Sequence, residues 1–317
     1  MNSIPIRRLP YFAIQEVLCT MCPFELIHLS MTSKRMKRVV TIISKPKIEN
    51  KFEIDAYINE DYGISIKNGQ MTWDYRFVAL KYRDGRNESD NEEQLRKYTK
   101  NKLEGFKTLC DCIQDVFGLQ FNNFLFSMEV DHNQNRSTVD YLKIRQESYT
   151  QFELRSVSEN DEDIKYLLDN LKFSNYLYIK SDIKKDFEMD IPENVDSLNI
   201  VFANFVKLEQ LLRLNCGCIK LWHTDLTKQD INMFLKRWMA SESNSNLVYS
   251  KIGFAFQRTD GILDDIPHEV GNERRFQNKY IDQIVQNGWD IKRNDGKTAR
   301  VHFRRERAYN SMDIIIY

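Results

Sequence analysis

The apolar side chains change their period once, near residue 50, and that change limits what this chain can fold into. Up to Ile43 they recur three and four residues apart, the spacing that gathers side chains on one face of a helix. Ile14, Val17, Leu18 and Met21 form one such run; Phe24, Leu26, Ile27 and Leu29 a second; Met36, Val39, Val40 and Ile43 a third. Pro10 and Pro23 open the first two runs, where a helix has no use for the missing N–H. Lys45-Pro46-Lys47 is expected to end the third, because proline steers the preceding residue out of the helical region. From Phe52 the period is two: Phe52, Ile54, Ala56 and Ile58 alternate with polar residues, as do Met71, Trp73, Tyr75 and Phe77. Asn68-Gly69 between these runs tolerates the positive φ of a hairpin turn. Three short helices should therefore precede a set of strands. A helical segment this small has little interior of its own, yet its apolar residues lie on more than one side.

Residues 84–94 read as a polar loop. Leu103, Phe106, Leu109, Ile113 and Phe117 then trace a helix closed by Gly118, and Phe124, Phe126, Met128 and Val130 return to alternation. After residue 160 short apolar triplets recur. Leu177-Tyr178-Ile179, Leu198-Asn199-Ile200, Ile219-Lys220-Leu221 and Leu247-Val248-Tyr249 start 21, 21 and 28 residues apart. Helical stretches lie between them, one carrying Phe205, Leu208, Leu211 and Leu212, another Ile231, Phe234, Leu235 and Trp238 behind a Thr227/Asp230 capping box. Strand–helix units of this length leave a face bare unless the next unit stacks on it, as in leucine-rich-repeat solenoids. Val195-x-x-Leu198-x-Ile200 and Cys216-x-x-Ile219-x-Leu221 match the opening of that repeat, without the asparagine that follows. An ordinary α/β domain with evenly spaced elements is the alternative. Trp289 to Lys292, a turn at Asn294-Asp295-Gly296, and Ala299, Val301 and Phe303 make a second hairpin. Met312 to Tyr317 could add a last strand whose isoleucines need cover. The expected class is mixed α/β: a three-helix segment over 1–46, a connecting α/β region over 47–158, and an irregular leucine-rich-repeat-like domain over 159–317.

Charge and motif content exclude several functions. Lys+Arg 46 against Asp+Glu 46 leaves no net charge to draw the whole chain to nucleic acid or acidic membranes. No run approaches the roughly 18 apolar residues of a membrane helix. Gln15 and Glu16 interrupt Tyr11 to Met21, and no small-residue cleavage site follows, so a cytoplasmic or nuclear location is expected. The six cysteines pair as Cys19/Cys22, Cys110/Cys112 and Cys216/Cys218, inside apolar segments, and are expected as buried free thiols rather than metal ligands. No phosphate loop, zinc-protease motif or nucleophile elbow is present. The five histidines (His28, His132, His223, His268, His302) stand singly, and carboxylates such as those in Glu159 to Asp163 fall in mixed-charge stretches. No catalytic residue, cofactor or metal is therefore expected. Lys34, Arg35, Lys37 and Arg38 form one basic cluster, and Arg300, Arg304, Arg305 and Arg307 another. Either is a solvated face, or it meets phosphate or an acidic protein, so a nucleic-acid-binding module stays open as a reading.

Ile6-x-x-Leu9-Pro10, Ile14, Val17-Leu18, Met21-x-Pro23-x-Glu25-Leu26, Leu29-Ser30 and Ser33-Lys34-Arg35-Met36-Lys37 closely resemble an F-box. Further on, Asp225-Leu226-Thr227, Asp230-x-Asn232-x-Phe234-Leu235-Lys236-x-Trp238 and Asp290-Ile291-x-Arg293-x-Asp295-Gly296 with Ala299 resemble the type 2 F-box-associated domain of nematode F-box proteins. The resemblance implies a substrate receptor of an SCF-type ubiquitin ligase. The F-box would dock on a Skp-type adaptor, and through it on a cullin–RING complex. The rest would bind a target protein, with no bond chemistry in the receptor itself. An adaptor-binding scaffold or decoy outside ubiquitination is the alternative within that family. Leu9, Pro10, Ile14, Val17, Leu18, Pro23, Phe24 and Leu26 are the expected adaptor contacts; for Val17 and Leu26 the alternative is packing the three helices together. On the target side, Asn199, Lys220 and His223 are candidates by strand alternation. Phe234 and Trp238 are expected as helix-to-strand packing.

Overall fold

The computed structural model describes residues 9–48, 52–118, 120–128, 132–156, 160–255, 259–305 and 309–317, with side chains from 44 to 48 left aside. Ile6, Val130, Glu159 and Arg307 lie outside the described residues. The chain forms two compact units, Met1–Phe126 and Ser127–Tyr317. The helical segment and the strands that follow it fall in the same unit and pack on one another.

In the first unit α1 (Tyr11–Thr20), α2 (Pro23–Met31) and α3 (Lys34–Ile48) precede β1 (Glu53–Ile58), β2 (Tyr62–Lys67), β3 (Thr72–Val78), β4 (Gly85–Glu88) and β5 (Glu92–Tyr98). Helix α4 (Lys102–Phe117) and β6 (Asn123–Ser127) complete it. Helix α3 runs on through Pro46, because a proline in the last turn, two residues before Ile48, removes only one terminal hydrogen bond. Within the unit the strand order is β6-β1-β2-β3-β5-β4. Residues 84–94 are not a loop: β5 pairs in parallel with β3 and antiparallel with β4. All four side chains of β4 are exposed, so it carries no apolar alternation to detect. The turn at Asn68 forms as expected, with Gly69 at φ 80. Helix α4 is capped by the Asn101 side chain, which accepts from the Glu104 amide at 3.1 Å, and closed by Gly118 at φ 68. One sheet face is apolar and helix-covered. On the other, the buried Asp74 carboxylate accepts from Tyr57 Oη (2.6 Å), Ser65 Oγ (3.0 Å) and Gln94 Nε2 (3.1 Å), and pairs with Arg76.

The second unit contains α5 (His132–Arg145), β7 (Tyr149–Arg155), α6 (Asp161–Asn170), β8 (Phe173–Lys180), β9 (Ser197–Ile200), α7 (Leu208–Arg213), β10 (Cys218–Thr224), α8 (Lys228–Met239) and β11 (Tyr249–Phe254). There follow β12 (Glu269–Val270), β13 (Arg274–Asn278), β14 (Ile281–Val285), β15 (Trp289–Lys292), β16 (Thr298–Arg305) and β17 (Asn310–Ile316). Within the unit the sheet runs β7-β8-β9-β10-β11-β17-β16-β15-β12. Strands β7 to β11 are parallel, and the rest join antiparallel. Leu177, Leu198 and Ile219 stand in register at 21-residue steps. The next step differs, since Ile219 pairs with Ser250 and not with Leu247. Nor does a helix fill every interval: between β8 and β9 the chain is irregular and buries Ile183, Met189, Ile191 and Val195. Strand β17 lies between β11 and β16, which gives its isoleucines cover on both sides. The hairpin β13–β14 belongs to no larger sheet. It lays Phe276 and Val285 over Cys218, Tyr249 and Ile315.

Candidate partner-binding surfaces

The three N-terminal helices divide their apolar residues between cover and solvent. Helix α2 starts at Pro23 behind Cys22, whose backbone N–H donates to Glu25 Oε2 at 2.8 Å. It turns Phe24, Leu26 and Ile27 inward, and the Phe24 ring meets Tyr75 of β3 edge-on at 5.8 Å. Burial pushes the Tyr75 hydroxyl up to about 12. Ser30 Oγ donates to the Ile27 carbonyl at 2.6 Å and lies 3.0 Å from Cys112 Sγ of α4, while Lys37 pairs with Asp115. Helix α1 differs: it buries only Leu18. Pro10 is exposed, and Leu9, Ile14 and Val17 are half-buried. Phe12 is 79% exposed, Tyr11 56%, and Ile42 of α3 64%.

The expected adaptor set is thereby split. Leu9, Pro10, Ile14 and Val17 remain reachable. Leu18 of α1 is buried, and so are Pro23, Phe24 and Leu26 of α2, the helix that β3 and α4 of the same unit cover. Tyr11, Phe12 and Ile42 are surface residues that the helical period did not single out. They lie off the stripe that faces the core, and an apolar residue off the stripe was the signal available.

In the second unit the parallel strands bury Leu177, Ile179, Leu198, Ile200, Ile219 and Leu221 and turn the alternate residues the other way. Asn199 and Lys220 are register neighbours on that second face and are half-buried. Asn199 Oδ1 accepts from Trp222 Nε1 at 3.1 Å, and its amide nitrogen lies 3.4 Å from Tyr176 Oη. Lys251 Nζ stands 4.6 Å from the centre of the Trp222 ring. His223 is exposed at φ 52, where the pairing of β10 shifts register, and it stacks on Phe202 at 5.6 Å. The structure thus groups Asn199 and Lys220 directly, and sets His223 aside at the bulge. The hairpin bounds this face. Tyr280 Oη donates to Asp196 Oδ1 at 2.7 Å, and Lys279 Nζ lies 2.8 Å from Oδ2. Burial raises the Asp196 carboxyl, but the bonds from Lys279 and Tyr280 outweigh it and hold the group below the usual range. A Cβ on Gly217 would fall 2.1 Å from Tyr280 Oη, so the close approach of the hairpin requires glycine there.

Other expected features resolve by contact. Phe234 and Trp238 are fully buried, and Arg293 lies 5.3 Å from the Trp238 ring while clasping Asp295. Asn232 Nδ2 donates to the Ile262 and Asp264 carbonyls. Arg300 and Arg304 are not a surface cluster. Arg300 is buried and bonds Asp290 and the Asn272 carbonyl, and Arg304 pairs with Asp313 at 2.7 Å. Lys34, Arg35 and Arg38 are exposed. Of the cysteines, Cys110, Cys112, Cys216 and Cys218 are buried, and burial pushes the Cys216 thiol up to about 12. Cys19 is exposed and Cys22 half-buried, a correction that follows from the bare side of α1. His132 is not solitary: its Nδ1 lies 2.7 Å from buried Asp163, which also accepts from Asn135 and Arg136. Among the described residues no cluster of His, Cys, Asp or Glu is placed to hold a metal ion, and no helix is long and apolar enough to cross a membrane.

Comparison with known proteins finds matches in both units. An F-box domain model matches residues 6–47, which contain α1 and α2 and all but the last residue of α3. Over those residues the chain is similar to F-box domains. A second model, described as F-box associated, matches residues 186–252, from the irregular stretch before β9 into β11. The Asp290–Ala299 motif lies outside that match. The Skn-1 dependent zygotic transcript 15 protein of Caenorhabditis elegans is 23% identical over 270 residues, with 74% of this chain and 75% of that protein covered. No solved structure matches the chain.

Proposed function

We propose that this chain is the substrate-recognition subunit of an SCF-type cullin–RING ubiquitin ligase. Helix α1 and its surroundings dock on a Skp-type adaptor, and the second unit holds a target protein. The observation that supports this most is the coincidence of the F-box match with helices whose Leu9, Pro10, Tyr11 and Phe12 are not sealed by this chain. Folded proteins rarely leave a contiguous apolar patch of this kind without an interaction to cover it. Bringing target lysines to a conjugating enzyme is an effect of local concentration, so no bond chemistry is asked of the receptor. The parallel strands, three of them in register at 21-residue steps, support reading the second unit as an irregular relative of leucine-rich-repeat scaffolds, whose sheet faces carry variable contacts. A receptor of this kind acts in the cytoplasm or nucleus.

Co-purification with a Skp-type adaptor tests the reading. The unaltered chain should retain adaptor, and a Leu9→Ala, Pro10→Ala double variant should lose most of it. Equal recovery with both would count against the proposal.

A further inference from the structure

The second face of the parallel sheet carries more positive charge than its own carboxylates neutralise. Tyr176, Tyr178 and Lys180 alternate outward on β8, followed by Asn199 on β9 and by Lys220 and Trp222 on β10. The carboxylates on this face are each claimed: Glu153 by Arg155, Asp196 by Lys279, and Asp313 by Arg304. Among the described residues no carboxylate pairs with Lys180 or Lys220. The two lysines stand two strands apart, on the order of 10 Å. Tyrosine and tryptophan flank them, and the Trp222 to Asn199 bond holds the indole in place at 3.1 Å. Rigid aromatic side chains beside unneutralised cations suit an anionic, side-chain-bearing ligand, because little order has to be imposed on binding. The hairpin closes one flank of the face, with Tyr280 locked to Asp196.

We infer that this face is where the target docks, and that the segment it takes is an extended peptide rich in aspartate and glutamate. The inference rests on the receptor reading above and adds the chemistry of the partner. Phosphate groups of a nucleic acid are the competing occupant. The cations without a carboxylate partner are lysines, which act as point charges, Lys220 lying 5.7 Å from the centre of the Tyr249 ring, and among the described residues no unpaired arginine fork sits beside them to clasp phosphate.

The test is binding of the purified full chain to an array of tyrosine-containing peptides whose other positions are acidic, amide or basic. The acidic members should be retained about tenfold better than the amide members, and the preference should weaken as salt is raised. A Lys180→Glu, Lys220→Glu variant should lose that preference, and Lys180→Gln, Lys220→Gln should halve its free-energy equivalent, which covers misfolding of the first. Equal retention of acidic and amide peptides overturns the inference, as does an acidic preference that survives both variants. Tighter, equally lysine-dependent binding of a thymidine oligonucleotide would assign the face to nucleic acid instead. Adaptor capture by the same preparations separates the two readings: adaptor retained without acidic preference sinks this inference alone. Acidic preference without adaptor capture sinks the receptor reading alone.

Discussion

Helix α8 of the second unit and helix α1 of the first place their aromatic side chains in opposite ways. In the second, Phe234 and Trp238 of α8 are driven wholly under the sheet, and the face left open is polar, aromatic and basic. In the first, α1 holds Tyr11 and Phe12 out in solvent while burying a single leucine. An open face built from tyrosine, asparagine and lysine is stable in water whether or not it is occupied. A bare phenylalanine gains nothing from water, so α1 is the stronger sign of an obligate contact. The difference teaches that apolar content alone does not mark a core. Which side of the helix carries it does.

Substitutions can break that contrast. The largest effect is expected at Trp238→Ala, which should lower unfolding free energy by about 4 kcal/mol in urea titration, through lost burial and the cavity left behind. Phe12→Ala should stay within about 0.5 kcal/mol in the same assay, since it uncovers no interior. Comparable losses at both positions would erase the distinction. Next, Gly217→Ala should cost about 1–3 kcal/mol, because the new methyl group collides with Tyr280. Hydrogen exchange should show that loss concentrated in β13 and β14, whereas unchanged protection there would mean the hairpin is not held by Asp196. Thr227→Ala should remove about 1 kcal/mol by opening the α8 cap, in which Thr227 Oγ1 accepts from the Asp230 amide at 3.2 Å.

The smallest expected effect is a pH dependence at His302. Burial, with nearby Arg304 and Arg300, lowers the affinity of its imidazole for a proton, against the bond its Nδ1–H makes to the Asn287 carbonyl at 2.7 Å. A lowered imidazole means the unfolded chain binds the proton more readily. Stability should therefore be full above the ordinary imidazole range and decline as pH falls through it. Urea midpoints at about pH 8 and about pH 5 should converge on replacing His302 with asparagine, relative to the unaltered chain.

Local signals made much of this legible in the sequence. The α4 stripe with its Gly118 terminus, the Thr227/Asp230 cap and the turn at Gly296 depend on neighbours a few residues away, and each stands as the pattern implied. What escaped was set by distant partners. Strand β4 exposes every side chain and has no period, and the hairpin β13–β14 is defined by what it covers. Arg300 and Arg304 read as surface cations because the carboxylates that take them in, Asp290 and Asp313, come from neighbouring strands. In the N-terminal segment the helical period located the helices but could not say which stripe of α2 the sheet would cover. Asn199 and Lys220 were placed on one face by alternation, whereas the bond from Trp222 to Asn199 needed the register.

The most direct test of the account is a calorimetric titration of a Skp-type adaptor into the full chain and into its Phe12→Asp variant, with both unfolding midpoints measured. A charge placed on the bare side of α1 should weaken adaptor binding by at least about 30-fold, roughly 2 kcal/mol, and leave the midpoint unchanged. Equal affinities for the two proteins, or no heat of binding with the unaltered chain, would contradict it.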